Sequence, residues 1–302
     1  MHAPANTQLS PLRIAVSFAV VTLIWGSTWL VIKTQLGVVP ASWSVTWRFV
    51  VAGIVMVGVC LAKGRSLRLS PRGHGFALAI GLLQFCLNFN LVYRAEAHLT
   101  SGLVALTFAL LIIPNAVLSA LFLGSRITPG FAIGSGLGIA GLALVFARDL
   151  LAPGADGGEI GIGMAFAIAA VVCAGVANVM QATPNGRAQP LEPGLAWAMF
   201  YGTVFNAATA WTLAGPPQFD ASAPYVAGVL YLGIVASALA FSLYYPLIRV
   251  IGAGKAAYTS VLVPLVAMAL STTFEGYRWS ALAVGGAALA LTGLVVALRS
   301  RD

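Results

Sequence analysis

A chain of 302 residues that is 60% hydrophobic and only 8% charged cannot be an ordinary water-soluble domain, in which about 25% of residues carry charge. With so little polar surface the fold needs an apolar solvent, and a lipid bilayer is one. The net charge of +8 is spread between long apolar stretches rather than gathered on a polar face, so no nucleic acid is expected as a partner.

In chain order, stretches apolar and long enough to cross the hydrocarbon core cover 14–32, 43–62, 75–93, 101–123, 131–147, 160–181, 194–214, 225–248, 256–274 and 280–298. They predict an all-α integral membrane protein of ten transmembrane helices. The first span lacks a small-residue cleavage site and is expected to be retained. The loops are short and leave no room for a separate catalytic domain. The most linker-like segment, 148–159 (RDLLAPGADGGE), falls between the fifth and sixth spans and divides the chain into residues 1–148 and 149–302.

Charge sets the orientation. With both termini in the cytoplasm, eleven Lys and Arg residues fall on the inner side and four on the outer, the strongest inner loop being 63–72. A multi-pass protein of the cell inner (plasma) membrane is expected.

The two halves echo one another. Shifting 102–147 forward by 150 residues aligns Gly102 with Gly252, Pro114 with Pro264, Gly136 with Gly286 and Ala140 with Ala290, along with Leu144/Leu294, Val145/Val295 and Ala147/Ala297. Five spans per half reverse the chain's direction, which predicts two inverted five-helix repeats around a central cavity. Pro114 and Pro264 lie near mid-span, where each removes a helix donor and frees a carbonyl. They are expected to act as hinges.

No catalytic apparatus is legible. The His, Cys, Asp and Glu residues form no cluster with metal-ligand spacing, and no Ser/His/Asp set or carboxylate pair lies at membrane depth. No metal, no cofactor and no enzymatic activity are expected. Cys60, Cys86 and Cys173 sit in apolar stretches and read as buried thiols. The GxGxxG match at 136–141 lies inside a span. With Gly130, Gly134 and Gly138 it reads as a small-residue packing face, within the chain or in a homodimer.

The spans do carry neutral polar and aromatic groups. Gln84 and Asn88 are four apart and share a helix face; Asn178 and Gln181 are three apart and do the same. Asn115 follows Pro114. Amides in hydrocarbon are costly without partners, so these groups face other helices or a wet cavity that binds a polar solute. Trp25 and Trp29, with Tyr244 and Tyr258, are candidates for an aromatic wall. Trp43 and Trp47 read as an interfacial belt, and Arg48 as a side chain that snorkels to the outer surface. Glu96, Glu159 and Glu275 are placed at outer span ends. Without a central acid, downhill transport with weak proton coupling is expected.

These features resemble the EamA type of the drug/metabolite transporter superfamily. Trp25-Gly26-Ser27-Thr28-Trp29 resembles its first-span WG(S/T) motif, Arg48 the arginine usual in its second span, and the Pro114 and Pro264 segments its fourth and ninth spans. Glu275-Gly276 reverses the family's usual Gly-Glu order, and Ser125 stands where an acid is usual. The resemblance implies an inner-membrane exporter of metabolites whose cavity is lined by spans 1, 3, 4, 6, 8 and 9. It extends to aromatic amino-acid exporters of the YddG type, so an amino acid is the expected small-molecule substrate. Export of another small metabolite or a toxic compound, or a non-transporting membrane scaffold, stays open on the residues alone.

Overall fold

The computed structural model describes residues 10–150, 156–256 and 259–299. Among the described residues all regular structure is helical, and helices occupy each of the apolar stretches marked above. In chain order these are α1 (Pro11–Gln35), α2 (Ala41–Ala62), α3 (Pro71–His98), α4 (Ser101–Leu123), α5 (Pro129–Leu150), α6 (Gly157–Ala182), the short α7 (Pro184–Ala188), α8 (Leu191–Ala214), α9 (Ala223–Ala253), α10 (Thr259–Phe274) and α11 (Ala281–Arg299).

Local chemistry sets their ends. The Ser10 hydroxyl accepts from the Arg13 amide at 3.3 Å, and Pro11 occupies a first-turn position where no N–H is needed. Ser70 and Pro71 repeat that start in α3. Asp156 Oδ1 caps α6 by accepting from the Gly158 and Glu159 amides. α4 stops at Gly124, whose φ of 67° is the left-handed cap that a side chain would strain.

By length and composition, α1, α2, α3, α4, α6 and α9 can each cross a membrane, and shorter apolar helices cover 129–145, 262–274 and 281–297. Large apolar side chains such as Leu23, Ile54, Phe122 and Ile133 point outward and are more than half exposed. In water they would form the kind of continuous apolar surface that soluble proteins avoid; in lipid they are solvated. The chain is a multi-pass membrane protein.

The helices pack in pairs through small residues. α5 and α11 form the most extensive pair. Gly134 touches Gly293 and Ala297, and Gly141 touches Gly286 and Ala290, so close that a Cβ on any of these glycines would overlap backbone or Cβ atoms across the seam. Gly136 and Gly285 meet nothing within 4 Å and face away from it. α2 pairs with α8.

Two helices carry a π-helical stretch, Gly81–Asn88 in α3 and Tyr231–Leu239 in α9. Such widened turns leave backbone carbonyls out of the normal ladder, and neighbouring groups must serve them. Asn206 Nδ2 donates to the Phe85 carbonyl at 2.9 Å, while Asn90 Nδ2 donates to the Cys86 carbonyl at 3.0 Å and to Asn206 Oδ1 at 2.7 Å. In α9, the Ser237 hydroxyl donates to the Leu232 carbonyl at 2.8 Å, five residues back. Close approach supports both stretches: Gly81 packs on the Ala198 carbonyl and Gly233 on the Arg48 carbonyl.

Candidate functional site

The π-helical stretches flank a central cavity of about 90 Å³. Its walls come from α1, α3, α4, α6, α9 and α10, the set the family resemblance implies, with Arg48 added from α2.

Six aromatic side chains, Trp25, Trp29, Phe89, Phe108, Phe241 and Tyr244, line it. Trp25 on α1 packs edge-on against Tyr244 with ring centroids 4.7 Å apart, and against Phe241 at 5.3 Å. Its indole N–H donates to the Ala236 carbonyl in the α9 π-helical stretch at 3.2 Å, which fixes the ring. One turn on, Trp29 packs against Phe108 of α4 at 4.9 Å. The sequence spacing of Trp25 and Trp29 puts both on one helix face, and that face is the one turned to the cavity.

Set into this wall are single polar atoms that make no hydrogen bond. Gln84 Oε1, Asn88 Oδ1 and Trp29 Nε1 are buried, and no hydrogen-bond partner serves them among the described residues. An unmade hydrogen bond in such a place costs about 1–3 kcal/mol. All three belong to residues that line the cavity. Asn178 of α6 lines the same space from the opposite half.

The structure therefore brings Trp25, Trp29, Gln84, Asn88, Asn178 and Tyr244 together. It does not bring Gln181 or Asn115. Gln181 Oε1 accepts from Arg249 Nη2 at 2.9 Å and from Nε at 3.3 Å, a clamp between α6 and α9. Asn115 is fully buried against α6, where Gly175 makes room for it and for Pro114, and its amide atoms bond nothing. Tyr258 lies outside the described residues. Around the prolines the halves differ: α4 tightens to a 3₁₀ turn at Ala109–Leu111 just before Pro114, whereas α10 runs helical through Pro264.

Three side chains depart from the sequence reading. Arg48 does not snorkel. It is fully buried and lines the cavity; its Nε donates to Ser237 Oγ at 2.9 Å and its Cζ lies 4.1 Å from the Phe89 ring centroid. Trp43, expected at the membrane interface, is buried with its indole N–H on the Gly215 carbonyl. Glu96 is in the last turn of α3, as a span-end acid should be, yet it is fully buried and neither carboxylate oxygen has a hydrogen-bond partner. For Arg48 and Trp43 the partner comes from a region far along the chain, which the local sequence does not announce.

Hydrogen bonds lace both ends of the bundle. Near Glu96, Lys33 Nζ donates to the carbonyls of Glu96 at 2.5 Å and Leu99 at 2.9 Å; His98 pairs with Glu159, and Glu275 accepts from the Ser101 hydroxyl. At the other end, Arg249 holds Gln181 and the Gln189 carbonyl, and Lys63 pairs with Glu192 at 3.1 Å.

The model of the EamA-like transporter family matches residues 12–147 and 161–299. The chain belongs to the EamA-like transporter family. Membership makes it a membrane transporter by family. Among curated proteins it is similar to Protein PagO of Salmonella typhimurium, at 23% identity over 267 residues that cover 88% of this chain and 86% of PagO. A solved crystal structure superposes with a TM-score of 0.72 at 20% identity, covering 97% of this chain and 100% of its own, and attests the fold.

Proposed function

We propose that this EamA-family protein is an inner-membrane secondary transporter that exports amino acids, aromatic or otherwise neutral, by alternating access. One observation carries the reading: a small cavity with aromatic walls holds unpartnered acceptors (Gln84, Asn88) beside an unpartnered donor (Trp29). A zwitterion offers donors from its ammonium and acceptors from its carboxylate, and the Trp25, Phe241 and Tyr244 faces suit both an apolar side chain and a cation. A purely apolar compound would leave the polar atoms unserved.

The proposal takes ten spans with both termini cytoplasmic, arranged as two inverted five-helix repeats over residues 1–148 and 149–302. Matched contacts support it. The approach of Gly81 in the first half to Ala198 in the second has its counterpart in that of Gly233 in the second to Arg48 in the first, and the pair Gly134–Gly293 in Gly286–Gly141. In the first half Lys33 ties the ends of α1 and α3; in the second Arg249 ties the ends of α6 and α9. The two matched blocks of the family model fall one in each half. Under this arrangement the Lys33 and Arg249 networks lie at opposite membrane faces and form the two gates, with Pro114 and Pro264 as hinges between them. Transport is downhill, with weak proton coupling. A homodimer through the glycine-rich spans could use Gly136 and Gly285, since Gly134, Gly141, Gly286 and Gly293 are spent within the chain.

Counterflow of a panel of labelled amino acids in proteoliposomes tests the reading. Transient accumulation of neutral and aromatic members above empty liposomes is expected; accumulation of none of them refutes it.

A further inference from the structure

Arg48 is a single cation buried in the apolar interior with its charge unanswered by any hydrogen-bonded anion. Its Nε is held by Ser237 Oγ at 2.9 Å; Tyr93 and Glu96 lie close enough to act on its charge, but no group meets Nη1 or Nη2 in good hydrogen-bond geometry. The one acid nearby on α3, Glu96, bonds nothing through its carboxylate. Lys33 spends its ammonium on backbone carbonyls, and Glu275 and Glu159 are taken by Ser101 and His98. The Phe89 ring at 4.1 Å supplies a cation–π contact, which offsets desolvation only in part.

The surroundings fix the group in place. Arg48 leaves α2 where that helix packs on the α9 π-helical stretch, and Gly233 permits this approach by meeting the Arg48 carbonyl at 2.8 Å from where a Cβ would stand. Ser237, which orients the guanidinium, is itself anchored to the Leu232 carbonyl. A guanidinium held through Nε keeps its Nη edge for a second partner, and a planar two-oxygen anion matches that edge with charge-assisted bonds. Arg48 and Phe89 both line the central cavity.

We propose that Arg48 is the anchor for the substrate's carboxylate, so that the cavity selects solutes bearing one carboxylate over the same solutes without it. This rests on the reading of the cavity as the substrate site. It adds an orientation: the carboxylate lies toward α2 and Phe89, and the ammonium toward Gln84 and Asn88. It also adds a requirement, that decarboxylated amines are poor ligands.

The test is equilibrium binding to the full-length protein in detergent with three probes: phenylalanine, 3-phenylpropanoate (no ammonium) and phenethylamine (no carboxylate). Phenethylamine is expected to bind about 10–100-fold more weakly than phenylalanine, the loss typical of a charge-assisted hydrogen-bonded pair. Arg48→Gln should bring phenylalanine down to the level at which the unaltered protein binds the amine. Arg48→Lys, which keeps the charge but not the fork, should fall between. Equal binding of phenylalanine and phenethylamine to the unaltered protein overturns the anchor while the cavity reading stands, and this arm needs no variant to fold. Binding of none of the three overturns both.

Discussion

Replacing Gly81 by alanine tests the packing on which the cavity depends. A Cβ at Gly81 would stand 2.6 Å from the Ala198 carbonyl oxygen, 2.9 Å from the Gly202 nitrogen and 3.0 Å from Tyr201 Cβ. Two of these are backbone atoms of α8, so no rotamer change relieves them. Reaching ordinary contact near 3.4 Å demands that α3 and α8 part by close to 1 Å. Overpacking of that kind costs about 1–3 kcal/mol. The same displacement stretches the bonds from Asn206 to the Phe85 carbonyl and from Asn90 to Asn206, now 2.9 and 2.7 Å, each worth about 1 kcal/mol net. The intrinsic helix preference of alanine over glycine returns about 1 kcal/mol. The balance is a destabilisation of about 2–3 kcal/mol, measurable as a lowered unfolding midpoint in mixed micelles titrated with SDS. Gly136→Ala is the control: nothing lies within 4 Å of its Cβ, so the propensity gain should stand alone and raise stability slightly. A Gly81→Ala protein as stable as the parent, or a Gly136→Ala protein that loses as much, would refute the close-packing argument.

Three further outcomes follow from the same geometry. Asn206→Leu strips the Phe85 carbonyl of its donor and Asn90 of an acceptor, so stability should fall by about 2–4 kcal/mol in the same SDS titration; a neutral result would mean the π-helical stretch needs no support from α8. Gln84→Ala and Asn88→Ala remove side-chain oxygens that bond nothing, and the second also loses only the long 3.4 Å bond from Asn88 Nδ2 to the Gln84 carbonyl, so folding should change by less than about 1 kcal/mol while counterflow affinity drops about 5–10-fold; unchanged flux would favour the scaffold reading. Glu96→Gln replaces a buried carboxyl whose oxygens make no hydrogen bonds, so stability should hold within about 1 kcal/mol, whereas a loss of about 3–5 kcal/mol would reveal Glu96 as the counter-ion of a buried pair.

Much of the architecture was legible because the solvent is apolar. Lipid forces every backbone group into a helix, so span-length apolar stretches become helices with little competition. The small-residue rows marked a seam because only glycine lets two backbones meet, as at Gly134 and Gly293. Trp25, Trp29, Gln84, Asn88, Asn178 and Tyr244 stood out as aromatic or amide groups within apolar runs, and all line the cavity. The same signal also picked out Gln181, whose real partner is Arg249, 68 residues away. An amide between helices and an amide on a cavity wall look alike until the third dimension separates them. Arg48 departs from its local sequence for a related reason: nearness to a span end suggests snorkelling, but Ser237 and Phe89 enclose it. The π-helical stretches had no local signature. They arise where Gly81 and Gly233 let a neighbouring helix press close, and where Asn206 and Ser237 serve the carbonyls set free.

The most direct measurement is equilibrium binding of labelled phenylalanine to the purified protein and to Ala105→Phe, which fills the cavity from a fully buried position on its wall. The account predicts saturable binding near one site per chain in the parent and its loss in the filled variant, with the variant still monodisperse. Saturable binding that survives the filling would place the substrate elsewhere and contradict the account.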